Sequence, residues 1–345
     1  MKGNEALAES AMRCGCRFFF GYPITPQTEL AAYMAKQMPK NDGVFLQAES
    51  EVAAINMVYG AAGAGARVMT SSSSPGISLK SEGISYIAGA DLPCVIVDIV
   101  RGGPGLGGIQ PAQSDYYQAT RGGGHGDYQL IVYAPSSVQE IVTLTAKAFD
   151  KADEYRMPAM IMGDGMLGQM MEPVEFFEKR DLASLPKKEW ATTGTKLERE
   201  KNIINSLYLK PEQLEDKIRE RYARYEIVKE KEAMYEEYFT DDAEVIIAAY
   251  GTVARIALSS VRQAREKGLK VGLIRPITLW PFPENIFNER SMTAKKIMCV
   301  ELSMGQMIDD VRLAVNGNCP VTFYGRTGGM VPNQEEILNE IEKLF

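Results

Sequence analysis

Short apolar segments alternate with helical patterns along two parts of this chain, and this alternation limits the possible folds more than any other feature. In the first part, residues 18–21, 68–72 and 94–100 each read as a buried strand that is followed by a turn and then a helical stretch. The same alternation resumes from residue 245. Strands separated by helices form parallel sheets with both faces covered. The sequence therefore predicts α/β architecture with two such sheets.

The interval between the two parts has a different character. Residues 181–243 are rich in Lys, Glu, Arg and Tyr, with opposite charges spaced as they are on exposed helices. The pattern predicts a charged helical linker there. It leaves a larger domain at 1–180 and a smaller one of about 100 residues at 244–345, consistent with about two domains for a chain of 345 residues.

Charge and apolar content exclude several classes of protein. The net charge of −7 argues against nucleic acid or an anionic membrane as the main partner. No apolar run approaches the roughly 18–20 residues that a membrane span needs, and the first ten residues lack the apolar region of a signal peptide. We therefore expect no membrane association and a cytoplasmic location.

The five cysteines are scattered, apart from Cys14 and Cys16, and none of them has iron–sulfur spacing. Cys14 and Cys16 precede an apolar strand and are interpreted as packing residues. In any redox reaction, the electrons must then leave through another chain. His125 is the single histidine, which excludes a two-histidine metal site; it is interpreted as part of a loop or as a polar group near a ligand.

The stretch 47–65 predicts a helix with one acid, Glu51, in its first turn. The run that follows Glu51 is almost entirely apolar or small, which predicts a helix covered on most sides. An acid in the first turn is favoured by the helix dipole, so Glu51 has a purely structural interpretation. The alternative is a carboxylate held in a dry pocket, where it exchanges a proton with a ligand.

Two further residues follow predicted strands. Thr25 lies in a turn that two prolines stiffen, and Arg101 comes directly after the buried strand 94–100. Ligands of open α/β sheets bind at the carboxyl ends of strands, where both residues fall. A buried guanidinium requires an anion or several acceptors. Arg101 is therefore either a partner in a structural salt bridge or a binder of a carboxylate-bearing substrate.

Several other motifs are incomplete or indicate only local structure. The glycine-rich segment 102–108 lacks the Gly-Lys-Ser/Thr of a phosphate loop. Asp164 and Gly165 begin like a diphosphate/magnesium motif, but no asparagine pair follows, so they are interpreted as a turn. Residues 275–283, with three prolines, are predicted to form a rigid apolar loop. The smaller domain shows no cluster of chemically reactive residues.

Three features occur in a fixed order: GYPITP at 21–26, ESEVAA at 49–54, and Arg101 after an apolar strand. In this order and spacing the chain resembles the alpha subunit of thiamine-diphosphate-dependent 2-oxoacid:ferredoxin oxidoreductases, over nearly its whole length. The run RGGPGLGGIQPAQSDYYQATRGGGHGDY at 101–128 is most similar to the 2-oxoisovalerate (branched-chain) members. The resemblance implies a pyrimidine-binding domain at 1–180 and a transketolase-C-terminal-like domain at 244–345.

The resemblance also implies residue roles. Glu51 is expected to hydrogen-bond the aminopyrimidine ring of thiamine diphosphate and so to help the cofactor lose its thiazolium C2 proton. Thr25 is expected near the carbonyl and carboxylate of the substrate, and Arg101 is expected to pair with that carboxylate. The remaining cofactor-binding residues implied are Tyr22, Pro23 and Ile24.

The implied reaction is the coenzyme A-dependent oxidative decarboxylation of a branched-chain 2-oxoacid to an acyl-CoA, with electrons passed to ferredoxin. A beta subunit is expected to share the cofactor and to supply its diphosphate and magnesium site, so this chain is expected to hold no metal. Iron–sulfur clusters are expected only in partner subunits, among them the gamma and ferredoxin-like delta subunits. The gamma domain that is fused to alpha in some members is not seen in this sequence. The chain alone is expected to be inactive.

Other hypotheses stay open at this point. The same chemistry could act on 2-oxoglutarate, whose second carboxylate would require another cation such as Arg121, or on pyruvate. The chain could instead be a non-catalytic assembly subunit in which Glu51 only begins a helix. A free-standing transketolase-like enzyme is disfavoured because the diphosphate motif is incomplete.

Overall fold

The computed structural model describes all 345 residues of the chain. The strands are β1 (Phe18–Gly21), β2 (Val44–Gln47), β3 (Val68–Ser72), β4 (Val95–Val100), β5 (Ile131–Tyr133), β6 (Ala159–Asp164), β7 (Tyr235–Tyr238), β8 (Val245–Ala248), β9 (Val271–Pro276), β10 (Thr278–Trp280), β11 (Lys296–Glu301) and β12 (Val321–Gly325). The helices are α1 (Gly3–Arg13), α2 (Thr28–Gln37), α3 (Glu51–Gly63), α4 (Ser74–Gly89), α5 (Tyr116–Thr120), α6 (Val138–Tyr155), α7 (Gly165–Gln169), α8 (Pro211–Glu232), α9 (Gly251–Glu266), α10 (Glu284–Ser291), α11 (Met307–Val315) and α12 (Gln334–Glu342). Two short 3-10 helices lie at Met38–Asn41 and Leu182–Ser184.

The first sheet has seven strands in the order β10-β5-β6-β4-β3-β1-β2. All neighbouring strands are parallel except β10, which runs antiparallel to β5. The central strands β3 and β4 are buried along their whole length, because helices cover both faces of the sheet. The predicted parallel α/β fold is confirmed.

The second sheet has five strands in the order β12-β11-β8-β9-β7. It is parallel except for its edge strand β7, which pairs antiparallel with β9. Helices α9 and α12 pack together on one face, and α10 packs with α11. This sheet has its own cluster of buried residues on strands β8, β9 and β11 and on helices α9 and α12.

Two short strands differ from the predicted outline. The segment 275–283 is not only a loop, because Thr278–Trp280 forms β10 and closes one edge of the first sheet. A strand of three residues between prolines shows no clear alternation of apolar and polar residues, so the sequence pattern does not predict it. The charged interval 181–243 contains β7, which joins the second sheet. The chain therefore crosses between the two sheets more often than a simple division of the sequence implies.

Helix α3 is capped by Ser50, whose hydroxyl accepts a hydrogen bond from the Ala53 N–H at 3.1 Å. The helix packs against β1, β3 and α4. The prediction that it is covered on most sides is wrong for one face, where Val52 is 45% exposed and Asn56 is also exposed. This face lies open because β2 is the last strand of the sheet on that side and no further element follows it.

Asp164 is not part of a simple turn, contrary to the prediction. It is the last residue of β6, and its carboxylate caps the following helix α7 by accepting the N–H groups of Met166 at 2.9 Å and Leu167 at 3.0 Å. Burial raises the pKa of the Asp164 carboxyl, while these hydrogen bonds lower it.

The interpretation of Cys14 and Cys16 as packing residues is confirmed, since both lie fully buried in the core. Their thiols donate to the backbone carbonyls of Ala11 and Phe18. Burial raises the pKa of the Cys16 thiol to about 12, which makes it a poor nucleophile.

None of the helices combines the length and the apolar character that crossing a bilayer requires.

Glu301, at the end of β11, anchors the helix that follows it. Its side chain is fully buried, and its carboxylate accepts backbone N–H groups from Gln306, Met307 and Ile308 at 3.0–3.1 Å. Burial raises the pKa of Glu301, and the three backbone donors lower it. The carboxylate thus satisfies donors at the start of α11 that no other group reaches.

We expect Glu301→Gln to lower the free energy of unfolding by about 1–3 kcal/mol. The amide carries no charge, and its NH2 group would face backbone N–H donors from which it cannot accept. Urea unfolding followed by circular dichroism measures this loss. Glu284→Gln is the matched control, since Glu284 begins α10 and is exposed; it should change stability by less than about 0.5 kcal/mol. Equal effects of the two substitutions would contradict the anchoring role of Glu301.

Candidate active site

The carboxyl ends of β1, β3 and β4 meet at one edge of the first sheet, because these strands are parallel neighbours. The turn after β1 carries Thr25, the first turn of α4 follows β3, and Arg101 follows β4. Glu51 begins α3, directly after the end of β2. The topology therefore brings the three predicted catalytic residues to the same edge of the sheet.

Arg101 joins two loops at this edge. Its side chain is buried, and its terminal nitrogens donate to the carbonyls of Thr25 at 3.0 Å and Leu106 at 3.2 Å. Its backbone N–H and carbonyl both hydrogen-bond the Ser74 hydroxyl at 3.1 Å. The alternative of a structural salt bridge is not realised, since its protein partners are carbonyls. The Arg101 Nε is buried and has no hydrogen-bond partner in the chain.

Glu51 is 6% exposed, yet its carboxylate accepts no hydrogen bond from the chain and forms no salt bridge. Gly76, in the first turn of α4, makes room for it: a Cβ on Gly76 would lie 2.9 Å from Glu51 Oε1 and 2.0 Å from Ser72 Oγ. The Ser72 hydroxyl is itself buried without a partner. Buried polar groups are nearly always satisfied, so the unpaired Ser72 hydroxyl next to a carboxylate that receives no donor from the chain indicates a place where a ligand could supply the missing partner.

The turn that precedes α2 lines the outer side of this edge. Tyr22, Pro23 and Thr25 are exposed, and Ile24 is half-buried. The buried Gln27 fixes the turn to the sheet, because it accepts the Ser71 hydroxyl at 2.6 Å and donates to the Tyr22 carbonyl at 3.3 Å. The predicted cofactor-binding residues thus lie on the surface of a turn held in place by one buried amide.

Sequence inspection missed a pair of carboxyl groups beneath the site. Asp98 on β4 accepts the Ser74 N–H at 3.2 Å, and Asp115, just before α5, lies beside it. Burial and the neighbouring Asp115 raise the pKa of Asp98 well above its usual range, and burial also raises that of Asp115. Two carboxyls so close retain a shared proton. Asp98 was visible as the one polar residue of its strand, but nothing in the sequence linked it to Asp115.

Lys80 on α4 was also missed, although a signal was present. Residues 77, 80, 84 and 87 follow helical spacing, so Lys80 is a charged residue on an otherwise apolar face. Its side chain is completely buried. A charge on the covered stripe of a helix is rare enough to deserve a functional explanation.

Arg121 and His125 contact residues other than Glu51. Arg121 forms a salt bridge with Asp310 at 3.0 Å and stacks over the Tyr117 ring at 5.1 Å from its centroid. His125 is exposed, with its ring perpendicular to that of Tyr86 at a centroid distance of 5.9 Å. Arg121 is thus engaged by a partner from α11, and His125 belongs to a surface loop.

Comparison with known families identifies the class of protein to which this sheet edge belongs, a thiamine-diphosphate-binding oxidoreductase. Residues 9–238 match the family described as pyruvate flavodoxin/ferredoxin oxidoreductase, thiamine diphosphate-binding, and residues 243–337 match pyruvate:ferredoxin oxidoreductase core domain II. The chain belongs to this family and is an alpha subunit of a 2-oxoacid:ferredoxin oxidoreductase. The resemblance predicted from the sequence is confirmed.

Relatives support this assignment over the full chain. The ketoisovalerate oxidoreductase subunit VorB of Methanothermobacter thermautotrophicus is 48% identical, over 100% of this chain and 97% of its own length. The 2-oxoglutarate synthase subunit KorA of the same organism is 36% identical, over 100% of this chain and 98% of its own length.

A solved structure also matches. The 2-oxoglutarate:ferredoxin oxidoreductase of Magnetococcus marinus, with 2-oxoglutarate, coenzyme A and succinyl-CoA bound, has a TM-score of 0.87 and 28% identity. The match covers 99% of this chain and 64% of that one, so the present chain spans about two thirds of that longer polypeptide. A split-gene transketolase with a TM-score of 0.60 is 12% identical and shows the shared fold alone.

The residues present fit the pyrimidine half of thiamine diphosphate. A ring with an N–H donor suits a buried carboxylate that lacks any donor from the protein, and Gly76 and Ser72 leave space for that carboxylate. No group of three or more His, Cys, Asp or Glu side chains in the chain converges as a metal site would.

The space at Gly76 has a direct test. We expect Gly76→Ala to lower the free energy of unfolding by about 1–3 kcal/mol, and to lower kcat of the assembled enzyme about tenfold because Glu51 is displaced. Thermal unfolding and steady-state kinetics measure the two effects. Gly60→Ala on α3 is the control, since nothing lies within 4 Å of its added Cβ; it should stabilise the helix by about 0.5–1 kcal/mol. The same response at both glycines would show that the space is not tight.

Proposed function

We propose that this chain is the subunit that binds the aminopyrimidine and the substrate in a branched-chain 2-oxoacid:ferredoxin oxidoreductase, whose main substrate is 2-oxoisovalerate. The reaction breaks the bond between the carbonyl and carboxyl carbons, releases carbon dioxide, passes two electrons to ferredoxin and joins the acyl group to coenzyme A. The observation that carries the proposal is the buried Glu51 carboxylate without a protein donor, at the same sheet edge as Arg101.

Thiamine diphosphate, when bound, supplies the carbon nucleophile that this chemistry requires. Glu51 would accept a hydrogen bond from the pyrimidine ring, in a poorly solvated pocket where that bond is strong. Arg101 would donate to the substrate carboxylate through its free Nε while its other nitrogens hold the two loops. Thr25 would face the substrate carbonyl from the exposed turn. Tyr22, Pro23 and Ile24 would cover the cofactor ring.

A substrate with a single carboxylate is supported by the state of Arg121. A second carboxylate, as in 2-oxoglutarate, would need another cation, and Arg121 is already paired with Asp310. The identity of 48% with the ketoisovalerate subunit, against 36% with the 2-oxoglutarate subunit, agrees with this choice.

A partner subunit is supported by exposed apolar side chains next to the site. Val44 and Leu46 on the edge strand β2 are 45% and 39% exposed, Val52 beside Glu51 is 45% exposed, and Tyr22 is 36% exposed. Apolar side chains grouped at one edge mark an interaction surface. We propose that a beta subunit docks here in the cytoplasm and supplies the diphosphate and magnesium site. Iron–sulfur clusters in that subunit and in gamma and delta subunits would carry the electrons to ferredoxin.

The decisive experiment measures ferredoxin reduction by the purified complex with 2-oxoisovalerate, 2-oxoglutarate and pyruvate as substrates. We expect kcat/KM to be highest for 2-oxoisovalerate, and we expect this chain without partners to give no turnover. A preference for 2-oxoglutarate would overturn the substrate assignment. Turnover by the chain alone would overturn the shared cofactor site.

A further inference from the structure

Lys80 is a buried cation that the proposed mechanism does not use. Its side chain is fully buried on α4, and its Nζ donates one hydrogen bond, to the Ser71 carbonyl at 3.1 Å. It forms no salt bridge. An ammonium group has three donors, and burying it with one acceptor and no direct counter-ion destabilises a fold. Such a group is retained where its charge serves another purpose.

Two acidic side chains face Lys80 from different elements. Glu51 approaches from α3: Gly76, one turn before Lys80 on α4, leaves room for its Oε1 beside the Ser72 hydroxyl, and Lys80 binds the carbonyl of the adjacent Ser71. Asp98 on β4 accepts the N–H of Ser74 in the same turn of α4. The acid on the same helix, Glu82, lies at the surface and accepts the Tyr86 hydroxyl. Burial lowers the pKa of Lys80 to about 8, and the two facing acids raise it. Both are therefore close enough to act on the ammonium through space.

Glu51 is the stronger counter-charge of the two. Burial and its neighbour Asp115 raise the pKa of Asp98, so this pair retains a proton and carries less negative charge than two free carboxylates would. The Glu51 carboxylate receives no hydrogen bond from the chain. The charge of Lys80 is thus balanced chiefly by Glu51, although no direct ion pair joins them.

We propose that Lys80 is a positioning residue that holds the Glu51 carboxylate in place by charge attraction from beneath the site, without occupying its oxygens. This rests on the proposed role of Glu51. A direct salt bridge would take up the lone pairs that the cofactor ring needs, whereas a cation behind the carboxylate offsets its burial and leaves both oxygens free. Ser71 and the helix α4 fix the ammonium at that depth.

The first test reads the coupling on the free full-length chain, independently of turnover. With lysine carrying ¹³C at Cε, the resonance lost in Lys80→Met identifies Lys80, and we expect it to titrate near pH 8. Glu51→Gln should lower this midpoint by about one unit, because the facing negative charge is gone. Glu82→Gln, the control on the same helix, should leave it unchanged. An unchanged midpoint in Glu51→Gln would refute the coupling.

The second test uses the assembled enzyme. We expect Lys80→Met and Lys80→Gln to lower kcat about tenfold with the KM for the 2-oxoacid unchanged, the effect of one unit of coupling. Both should also remove the loss of kcat above pH 8 that deprotonation of Lys80 causes in the wild type. Glutamine keeps a donor for the Ser71 carbonyl, so an effect confined to Lys80→Met would assign the role to that hydrogen bond and overturn the proposal.

Stability separates this role from a structural one. The unfolded state holds the lysine proton up to the ordinary pKa and the folded state only to about 8, so the wild type gains stability as the pH rises above 8. Removing the buried ammonium should therefore raise the melting temperature at pH 7 while it lowers kcat. Lys188→Met is the control, since Lys188 is a half-buried lysine paired directly with Asp153 at 2.6 Å; it should leave kcat unchanged. A Lys80→Met enzyme that is less stable and fully active would refute the proposal. An inactive wild-type complex with intact coupling would instead refute the proposed function.

Discussion

Replacing Glu51 by glutamine should lower kcat of the assembled enzyme by about 10²–10⁴-fold while the subunits still assemble. Glutamine has the same shape but cannot accept and return a proton as a carboxylate does, and general acid–base groups contribute rate factors of this size. The carboxylate receives no hydrogen bond from the chain, so the substitution breaks no internal contact. The fold and the apolar edge around Val52 should therefore be unaffected.

The measurement combines steady-state ferredoxin reduction with native mass spectrometry of the complex, so that a loss of turnover is separated from a loss of subunits. Glu49→Gln is the matched control: Glu49 lies two residues earlier, is exposed, and accepts only the Ser50 hydroxyl at 2.8 Å. It should retain wild-type kcat. Full activity of Glu51→Gln would favour the alternative in which this chain is a non-catalytic assembly subunit and Glu51 only begins a helix.

The sequence predicted most of the first sheet because local and global signals agree there. Buried parallel strands such as β3 and β4 are continuous apolar runs bounded by turns, and each is followed by a helical pattern. The short antiparallel strands β7 and β10 could not be predicted in the same way. β10 has three residues between prolines, and β7 lies in a charged segment, so both depend on partners distant in the chain.

Only those residues of the candidate site that belong to recognisable sequence motifs were predictable. Glu51, Thr25 and Arg101 stand next to recognisable turns, and the topology brings them together. What lies beneath them was only partly predictable: Lys80 stood out as a charge on an apolar helix face, whereas nothing in the sequence linked Asp98 to Asp115. The open face of α3 was misjudged because an apolar run that stays exposed on the chain has the same composition as one that is buried within it.

Replacing Arg101 by methionine should lower kcat/KM for 2-oxoisovalerate by about 10²–10³-fold, mainly through KM. Removing one partner of a buried, hydrogen-bonded charge pair costs about 2–5 kcal/mol, and the substrate carboxylate is the proposed partner of the free Nε. The substitution also releases the carbonyls of Thr25 and Leu106. Part of the loss should therefore be a lower melting temperature.

Two further variants separate the charge from the loop contacts. Arg101→Lys keeps the charge but, as a single ammonium, cannot span both carbonyls and the substrate, so it should recover only part of kcat/KM. Arg121→Met is the control, since it removes a cation that is already paired with Asp310; KM for 2-oxoisovalerate should not change. If Arg121→Met raised KM as much as Arg101→Met did, the substrate carboxylate would be bound at the loop that carries Arg121, and the assignment of Arg101 would be wrong. If Arg101→Met lowered only the melting temperature, the guanidinium would serve only to hold the loops together. A carboxylate-binding role requires kcat/KM for the substrate to fall as well.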